Sequence, residues 1–348
     1  MVTRTRTGTS HWHVQTERRK RFLEGWRENR RTVVRYQDLE WHDTARRMRE
    51  AVYMGEDGGS PTRTLDAVLH EIAPGTTSTV QRHSWDAILF MTEGNGWSEV
   101  DGERYDWKAW DAVHIPPWSW HRHGNDGDRP ARFLSSSSEP ILASLGLSML
   151  ENAGDTPFAE LPQSPRPSPA IDGDDPYARL RHRLADVDAA RREARIHTSY
   201  DEIPLLVNPK GTRTKFLNDA SIGNLTTGLT QVMIQFAPGY GQSMHRHPGE
   251  AWLYVVEGRG HSYLGVEPTG GQTVEWETGD LVVVDHYLWH QHFNDVPDEP
   301  SRLVRIHAFA SMLETMRALL DPLPLFEEML DTAPDVGQVD WPEDVRPE

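Results

Sequence analysis

The sequence predicts an all-β-dominated protein: two tandem copies of one small β-domain, joined by a linker and carrying helical extensions at both ends. Three observations carry this. Short strand-like runs punctuated by Gly, Pro and Asn-Asp fill residues 64–143 and 212–310. The two stretches repeat each other. A segment rich in Pro, Ser and acid separates them.

The repeat is explicit. "PGTTSTVQRHSWDAILFMTEGNG" at 74–96 lies against "PGYGQSMHRHPGEAWLYVVEGRG" at 238–260, and Pro-Gly, Arg-His, Ala and Glu-Gly coincide at an offset of 164. Further on, "WDAVHIPPWSWHRHGND" at 110–126 lies against "GDLVVVDHYLWHQHFND" at 279–295 at an offset of 169. The difference falls in the loop holding "EPTGG", where an insertion is tolerated. A fixed internal period marks a duplicated unit.

Residues 1–63 predict a helical N-terminal arm. "HVQTERRKRFLEGWRENRRTVV" and "DLEWHDTARRMREAVYM" carry many helix formers and no internal Pro. An arm this basic, ahead of an acidic remainder, suggests packing on another surface such as a neighbouring subunit, while the plainer and favoured reading is a solvated terminal helix. Residues 64–150 form the first β-domain. Residues 151–211 form a linker with one helix, "DPYARLRHRLADVDAARREARI", which has Pro in its first turn. Residues 212–310 form the second β-domain. Residues 311–348 are a helical tail, "ASMLETMRALLDPLPLFEEMLD", broken at Pro322 and Pro324.

Composition narrows the function. With 36 Lys and Arg against 53 Asp and Glu, the 348-residue chain carries a formal charge of −17. That argues against a nucleic-acid partner and against an anionic membrane surface. No run reaches the roughly 18 apolar residues of a membrane span, and the basic N-terminus lacks the apolar core of a secretory signal. A cytoplasmic protein is the expectation. There is no Cys, so a metal must be held by His, carboxylate or amide oxygen. Seventeen His make a His-based site easy to build.

The His spacing is the main chemical signal. Residues i and i+2 of a strand share a face. His245 and His247 therefore point one way and Arg246 the other; His290 and His292 also share a face. In a small barrel, the first pair and one of the second can converge inside. Imidazoles on rigid strands suit Fe, Mn, Zn, Cu or Ni. By contrast, His11 and His13 lie in the polar arm. The Gly-x-Gly stretches in "GNGWSEVDG" and "GRGHSYLG" sit between strands and read as hairpin turns.

These residues resemble the cupin superfamily. Its first motif matches Gly239, His245, His247 and Gly258; its second matches Gly279, Asp280, His290 and Asn294. Both halves look like cupins, so the chain resembles a bicupin of two double-stranded β-helix (jelly-roll) barrels. Many cupins add a Glu ligand four residues after the second His, but Ala251 stands there. Glu250 is one residue early and falls on the opposite face. The resemblance therefore implies a three-His site on His245, His247 and His290.

The string "PPWSWHRHGN" and the Ala at the Glu position are similar to the gentisate 1,2-dioxygenase group. That group implies Fe(II), dioxygen and a small aromatic acid as substrate, with ring cleavage of a gentisate-like or substituted salicylate-like hydroxybenzoate. In that group the first barrel carries the catalytic His set. Here Gln81 replaces the His, leaving His83 and His121, so a possible second site at Gln81, His83 and His121 reads as degenerate.

Further candidates follow. His292 supports the ligands or carries a proton, and Arg305 and His307, with Gln231 and Gln235, are candidates to face inward and hold a carboxylate. Trp252, Tyr254, Tyr287 and Trp289 flank the site in sequence, Trp289 facing away by parity. The alternative reading is a cupin isomerase, decarboxylase or hydrolase using Mn, Zn, Ni or Cu without dioxygen, or a non-catalytic bicupin. A homo-oligomer is expected.

Overall fold

The structure, a computed structural model, describes residues 10–29, 31–55, 62, 64–162, 172–226, 228–247, 249–308, 328–330, 334–337 and 339–346. Each repeat closes as two antiparallel sheets facing each other. In the first barrel a seven-stranded sheet runs His197–Thr198, Ala112–Ile115, Ala87–Glu93, Ala131–Ser137, Asp66–Ile72, Arg49–Met54 and His42–Asp43. Its partner sheet contains Leu150–Gly154, Val80–His83, His121–Asn125, Asn95–Val100 and Glu103–Lys108. The second barrel repeats this plan. Its larger sheet runs Val33–Val34, Leu281–Val284, Ala251–Glu257, Ser301–Ala308, Leu229–Phe236, Thr212–Asn218 and Leu206–Asn208. Its smaller sheet contains Gln272–Glu277, Arg259–Gly265, Trp289–Asn294, His245–Arg246 and Glu328–Met329.

Alternation divides each large sheet into two faces. In the second barrel Val232, Ile234, Leu253, Val282, Val284 and Leu303 point inward and pack on Leu264 and Trp276 of the smaller sheet. The outward face carries Met233, Trp252, Tyr254, Val283 and Ile306, which pack on Tyr53, Leu69, Ile88 and Phe90 of the first barrel. The two barrels thus lie back to back on one apolar core. Tyr53 and Tyr254 meet edge to face with centroids 6.1 Å apart. Each large side chain buried here contributes about 1.5–3 kcal/mol, and an aromatic pair about 0.5–1.5 kcal/mol more.

The segment ahead of each barrel completes the other one. Val33 pairs with Val282 and Val34 with Leu281. Reciprocally, His197 pairs with Val113 and Thr198 with Ala112. Asp280 holds the first crossing by accepting from Arg35 Nη1 at 2.6 Å and from the Tyr36 N–H at 3.0 Å. Asp111 holds the second by accepting from the Tyr200 N–H at 3.0 Å. The Glu-Gly of the repeat also has a physical reason. Gly94 and Gly258 have φ of 75° and 95°. A Cβ would lie 2.7 Å from Pro130 O at the first and 2.2 Å from Ser301 Oγ at the second.

The linker helix spans Pro176–Arg192; the Asp175 carboxylate caps it by accepting from the N–H of Tyr177 and Ala178. Two expectations change. The arm is helical only over His11–Asn29. Residues 33–54, expected as helix, form strands Val33–Val34, His42–Asp43 and Arg49–Met54 around a single 3-10 turn, because each finds a sheet edge to pair with and a core to bury Val34, Tyr53 and Met54. The expected helix of 311–348 lies outside the described residues over 309–327. The described residues beyond it contribute the strand Glu328–Met329, paired with His245–Arg246, and no helix. Among the described residues no helix is long and apolar enough to cross a membrane.

Candidate metal centre

Strand register builds the site. His245 on its short strand lies directly across from His290. Leu264, an inward residue, also pairs with His290, so that ring points into the second barrel. The rings of His245 and His290 have centroids 4.1 Å apart, and His247 lies 4.8 Å from His290. One ligand nitrogen from each of the three falls within 4.8 Å of the other two, and all three residues are buried.

Hydrogen bonds fix the tautomers. His245 Nδ1–H donates to Ser243 O at 2.9 Å, and His290 Nδ1–H donates to Leu288 O at 2.8 Å. Each ring therefore keeps its lone pair on Nε2, the atom that can act as a ligand. Burial is the main cause holding the rings neutral. It pushes His290 down to about 4. Burial, then the neighbouring His290, takes His245 and His247 well below the usual histidine range. Three convergent neutral imidazoles form a donor set that fits a divalent transition ion and leaves its charge uncompensated.

Ala251 explains what stands beside the triad. It pairs across the sheet with His307. The Ala side chain leaves the room that a Glu would fill, and the His307 ring lies 4.8 Å from His247. Arg305 shares that face, and its charge depresses His247 and His290. Glu250 lies on the opposite face, fully buried, and accepts from Thr64 Oγ1 of the first barrel. Burial raises its carboxyl to about 7.

Other candidates go elsewhere. Gln231 and Gln235 pair with Ile306 and Arg302, the outward residues of Ser301–Ala308, and so face away from the centre. Gln235 donates to Tyr200 Oη and Asp344, and Gln231 Oε1 accepts from Asn218. Trp252 and Tyr254 likewise belong to the core between the barrels. Tyr287 is exposed. Trp289 is buried under Arg246, whose guanidinium stacks 4.6 Å above it.

His292 sits in a hydrogen-bonded chain. The Trp276 indole donates to Ser262 Oγ at 2.9 Å, and Ser262 Oγ lies 2.6 Å from His292 Nδ1. The first barrel repeats the chain with Trp107, Ser98 and His123, at 3.0 and 2.8 Å. Sequence reading missed these two Trp-Ser-His chains and also Lys210, a buried residue whose charge bears on His245, His290 and His292. The repeat could have found all of them: Ser98 and Ser262 obey the 164 offset, as do Arg46 and Lys210.

In the first barrel Gln81, His83 and His121 come together, with the His83 and His121 ring centroids 4.8 Å apart, but they supply two imidazoles where the second barrel has three. His121 Nδ1–H donates to Ser119 O at 2.9 Å, so its Nε2 is an acceptor. That lone pair takes the amide N–H of Gln81 at 3.2 Å. The Gln81 side chain occupies the place of a ligand and presents a donor. His83 Nδ1 donates to Trp85 O, and its ring stacks on Trp85 at 4.4 Å.

The chain is similar to several known proteins. The cupin-domain family model matches residues 68–137 and 232–307. Over 303 residues the chain is 26% identical to the 1-hydroxy-2-naphthoate 1,2-dioxygenase of Nocardioides sp. strain KP7, covering 81% of this chain and 75% of that one. It is 37% identical over 95 residues to gentisate 1,2-dioxygenase 1 of Aquipseudomonas alcaligenes, 27% of each chain. Among solved structures, the salicylate 1,2-dioxygenase of Pseudoaminobacter salicylatoxidans with gentisate superposes with a TM-score of 0.59 at 18% identity, covering 94% of this chain and 97% of that one.

Proposed function

This chain is a bicupin, two cupin domains in one polypeptide, and from that premise we propose that it is an Fe(II)-dependent dioxygenase that opens the ring of a hydroxylated aromatic acid in its second barrel. The observation that carries the proposal is the meeting of His245, His247 and His290, buried and neutral, with the lone pair of both His245 and His290 on Nε2. The relatives named as 1,2-dioxygenases of 1-hydroxy-2-naphthoate and of gentisate support the reaction class.

His245, His247 and His290 would hold the iron. When bound, it supplies the electron-transfer chemistry that lets dioxygen react with an aromatic ring. The residues around it do the rest. Arg305 pairs with the substrate carboxylate and orients the ring. Leu253 and Val232, its cross-strand neighbours, give that ring an apolar wall and keep water out. The His307 imidazole, beside His247, is the base placed to take the phenolic proton. His292 positions and does not react. Its hydrogen-bonded chain recurs unchanged at His123, in a barrel without the ligand triad.

The test is metal analysis of anaerobically purified protein, followed by oxygen uptake with salicylate, gentisate and 1-hydroxy-2-naphthoate. Iron near one equivalent and uptake with at least one acid are expected. Iron-loaded protein that consumes no oxygen with any of them would move the reading to a cupin isomerase, decarboxylase or hydrolase.

A further inference from the structure

The strand that carries His245 is short. Among the described residues it spans only His245–Arg246. On one side a single pair joins it to His290. On the other, Met329 lies across from His245 and Glu328 from Arg246. The Leu330 N–H adds one bond, donated to Met244 O at 3.0 Å. The first barrel builds the same contact with more ladder: Leu150, Glu151, Asn152 and Gly154 pair with His83, Arg82, Gln81 and Val80. Glu328 also meets the Arg246 guanidinium at 2.6 Å, but a pair this exposed contributes little. A ladder of two residues needs support from elsewhere.

The residues beyond Leu330 supply it. Pro334 rests on Gly211, where a Cβ would lie 3.0 Å from Pro334 Cδ. Trp341 lies under the Arg213 guanidinium at 4.2 Å. Asp344 meets Lys215 Nζ at 2.8 Å. Residues 211, 213 and 215 alternate along an extended chain and so share a face. The segment meets them in order.

Its far end is anchored in the seam between the barrels. The Asp344 carboxylate also accepts from Tyr200 Oη at 2.7 Å and from Gln235 Nε2, with Arg302 Nη2 3.5 Å away. Tyr200, Lys215, Gln235 and Arg302 are all buried. Buried, charge-assisted hydrogen bonds of this kind are the strong ones. Arg346 reaches the first barrel, donating to Asp111 Oδ1 at 3.0 Å and to Ala109 O at 3.3 Å.

The near end reaches His245 by a second route. Gly211 follows Lys210, whose carbonyl accepts from the Ser243 N–H at 3.1 Å. Ser243 O in turn accepts from His245 Nδ1–H at 2.9 Å, the bond that leaves the lone pair on Nε2. The segment therefore bears on His245 twice, through the ladder at Met329 and through the turn under Pro334.

We propose that the described residues of 328–346 form a strap that positions His245, with Trp341, Asp344 and Arg346 as the anchor that sets how tightly the second barrel holds a divalent metal ion. This rests on the metal reading of His245, His247 and His290 but on no reaction at that centre.

The experiment is equilibrium dialysis of metal-free, full-length protein against cobalt(II) alone, with thermal unfolding in parallel. Loss of a group that orients a ligand weakens metal binding by about ten- to a hundredfold. Leu330→Pro deletes the near N–H at a side chain 56% exposed and should weaken cobalt binding on that scale. Asp344→Ala should do the same from the far end. Trp341→Ala releases the far end without stranding a buried charge, and it gives the reading if Asp344→Ala proves misfolded. Trp341→Phe keeps a ring under Arg213 and should restore most of the affinity. Val113→Ala removes buried packing from the first barrel; it should lower the unfolding temperature and leave cobalt affinity unchanged. Wild-type affinity in the far-end variants would overturn the proposal, even with Leu330→Pro weakened, and leave the metal reading standing. Equal weakening in Val113→Ala would overturn it as well, since the effect would then be general destabilisation. No cobalt bound by the wild type would overturn the metal reading and this proposal with it.

Discussion

Gln81 and His121 meet Nε2 to Nε2 at 3.2 Å, at the repeat positions of His245 and His290. One amide therefore separates a barrel with two imidazoles from one with three. Gln81→Ala removes the donor without adding a ligand and should leave metal content unchanged. Gln81→His should raise it from about one to about two equivalents per chain, read by elemental analysis after iron loading.

His245→Ala and His247→Ala should each abolish metal binding, whereas His83→Ala should leave most of it. A ligand that binds only the folded state stabilises it by about 2.7 kcal/mol at a hundred times its Kd. Iron added to the wild type should therefore raise the unfolding temperature by several degrees. The same addition to His247→Ala should give no shift. The reverse pattern would place the metal in the first barrel.

Arg305→Met should reduce kcat/KM for the aromatic acid by at least about tenfold, the scale of one lost charged hydrogen bond of about 1.5–3 kcal/mol, while iron content stays at the wild-type level. His307→Phe keeps the ring and loses the base. It should lower kcat more than it raises KM, measured by oxygen uptake.

Stability should fall as acid is added. Burial, then the charge of Arg46, holds folded His70 down at about 3, and burial lowers His83 to about 4. Unfolded, both take up a proton near 6.5. Between these values the unfolded chain binds more protons, so stability is complete above pH 6.5 and is lost as pH falls toward 4 and then 3. Urea midpoints of metal-free protein should follow that course, and His70→Gln should flatten it.

Asp280→Ala removes the acceptor shared by Arg35 and the Tyr36 N–H, in a residue almost fully buried. The expected loss is about 1.5–3 kcal/mol, read as a lower urea midpoint. Asp111→Ala should do the same on the other side.

Much of this was legible in the sequence because it obeys a period. The duplicated unit, the strand texture and the paired His follow from offsets of 164 and 169 and from alternation. The misread stretch, 33–54, is rich in helix formers, and local propensity yields to a sheet edge that supplies hydrogen bonds and burial. The same offset would have corrected it, since Tyr36 matches Tyr200 and Arg46 matches Lys210. Gln231 and Gln235 went wrong by one residue, which in a strand is the whole width of the sheet. What no spacing revealed is the neighbour across the ladder. Ala251 looked like a missing ligand, and only the pairing with His307 shows what fills the room.

The crossed segments bind the halves more firmly than the covalent thread between them suggests. Were the backbone severed between residues 162 and 172, each fragment would still carry two residues woven into the other's sheet. Such pieces should co-elute as one particle. Either half produced by itself should expose an unfinished edge and precipitate.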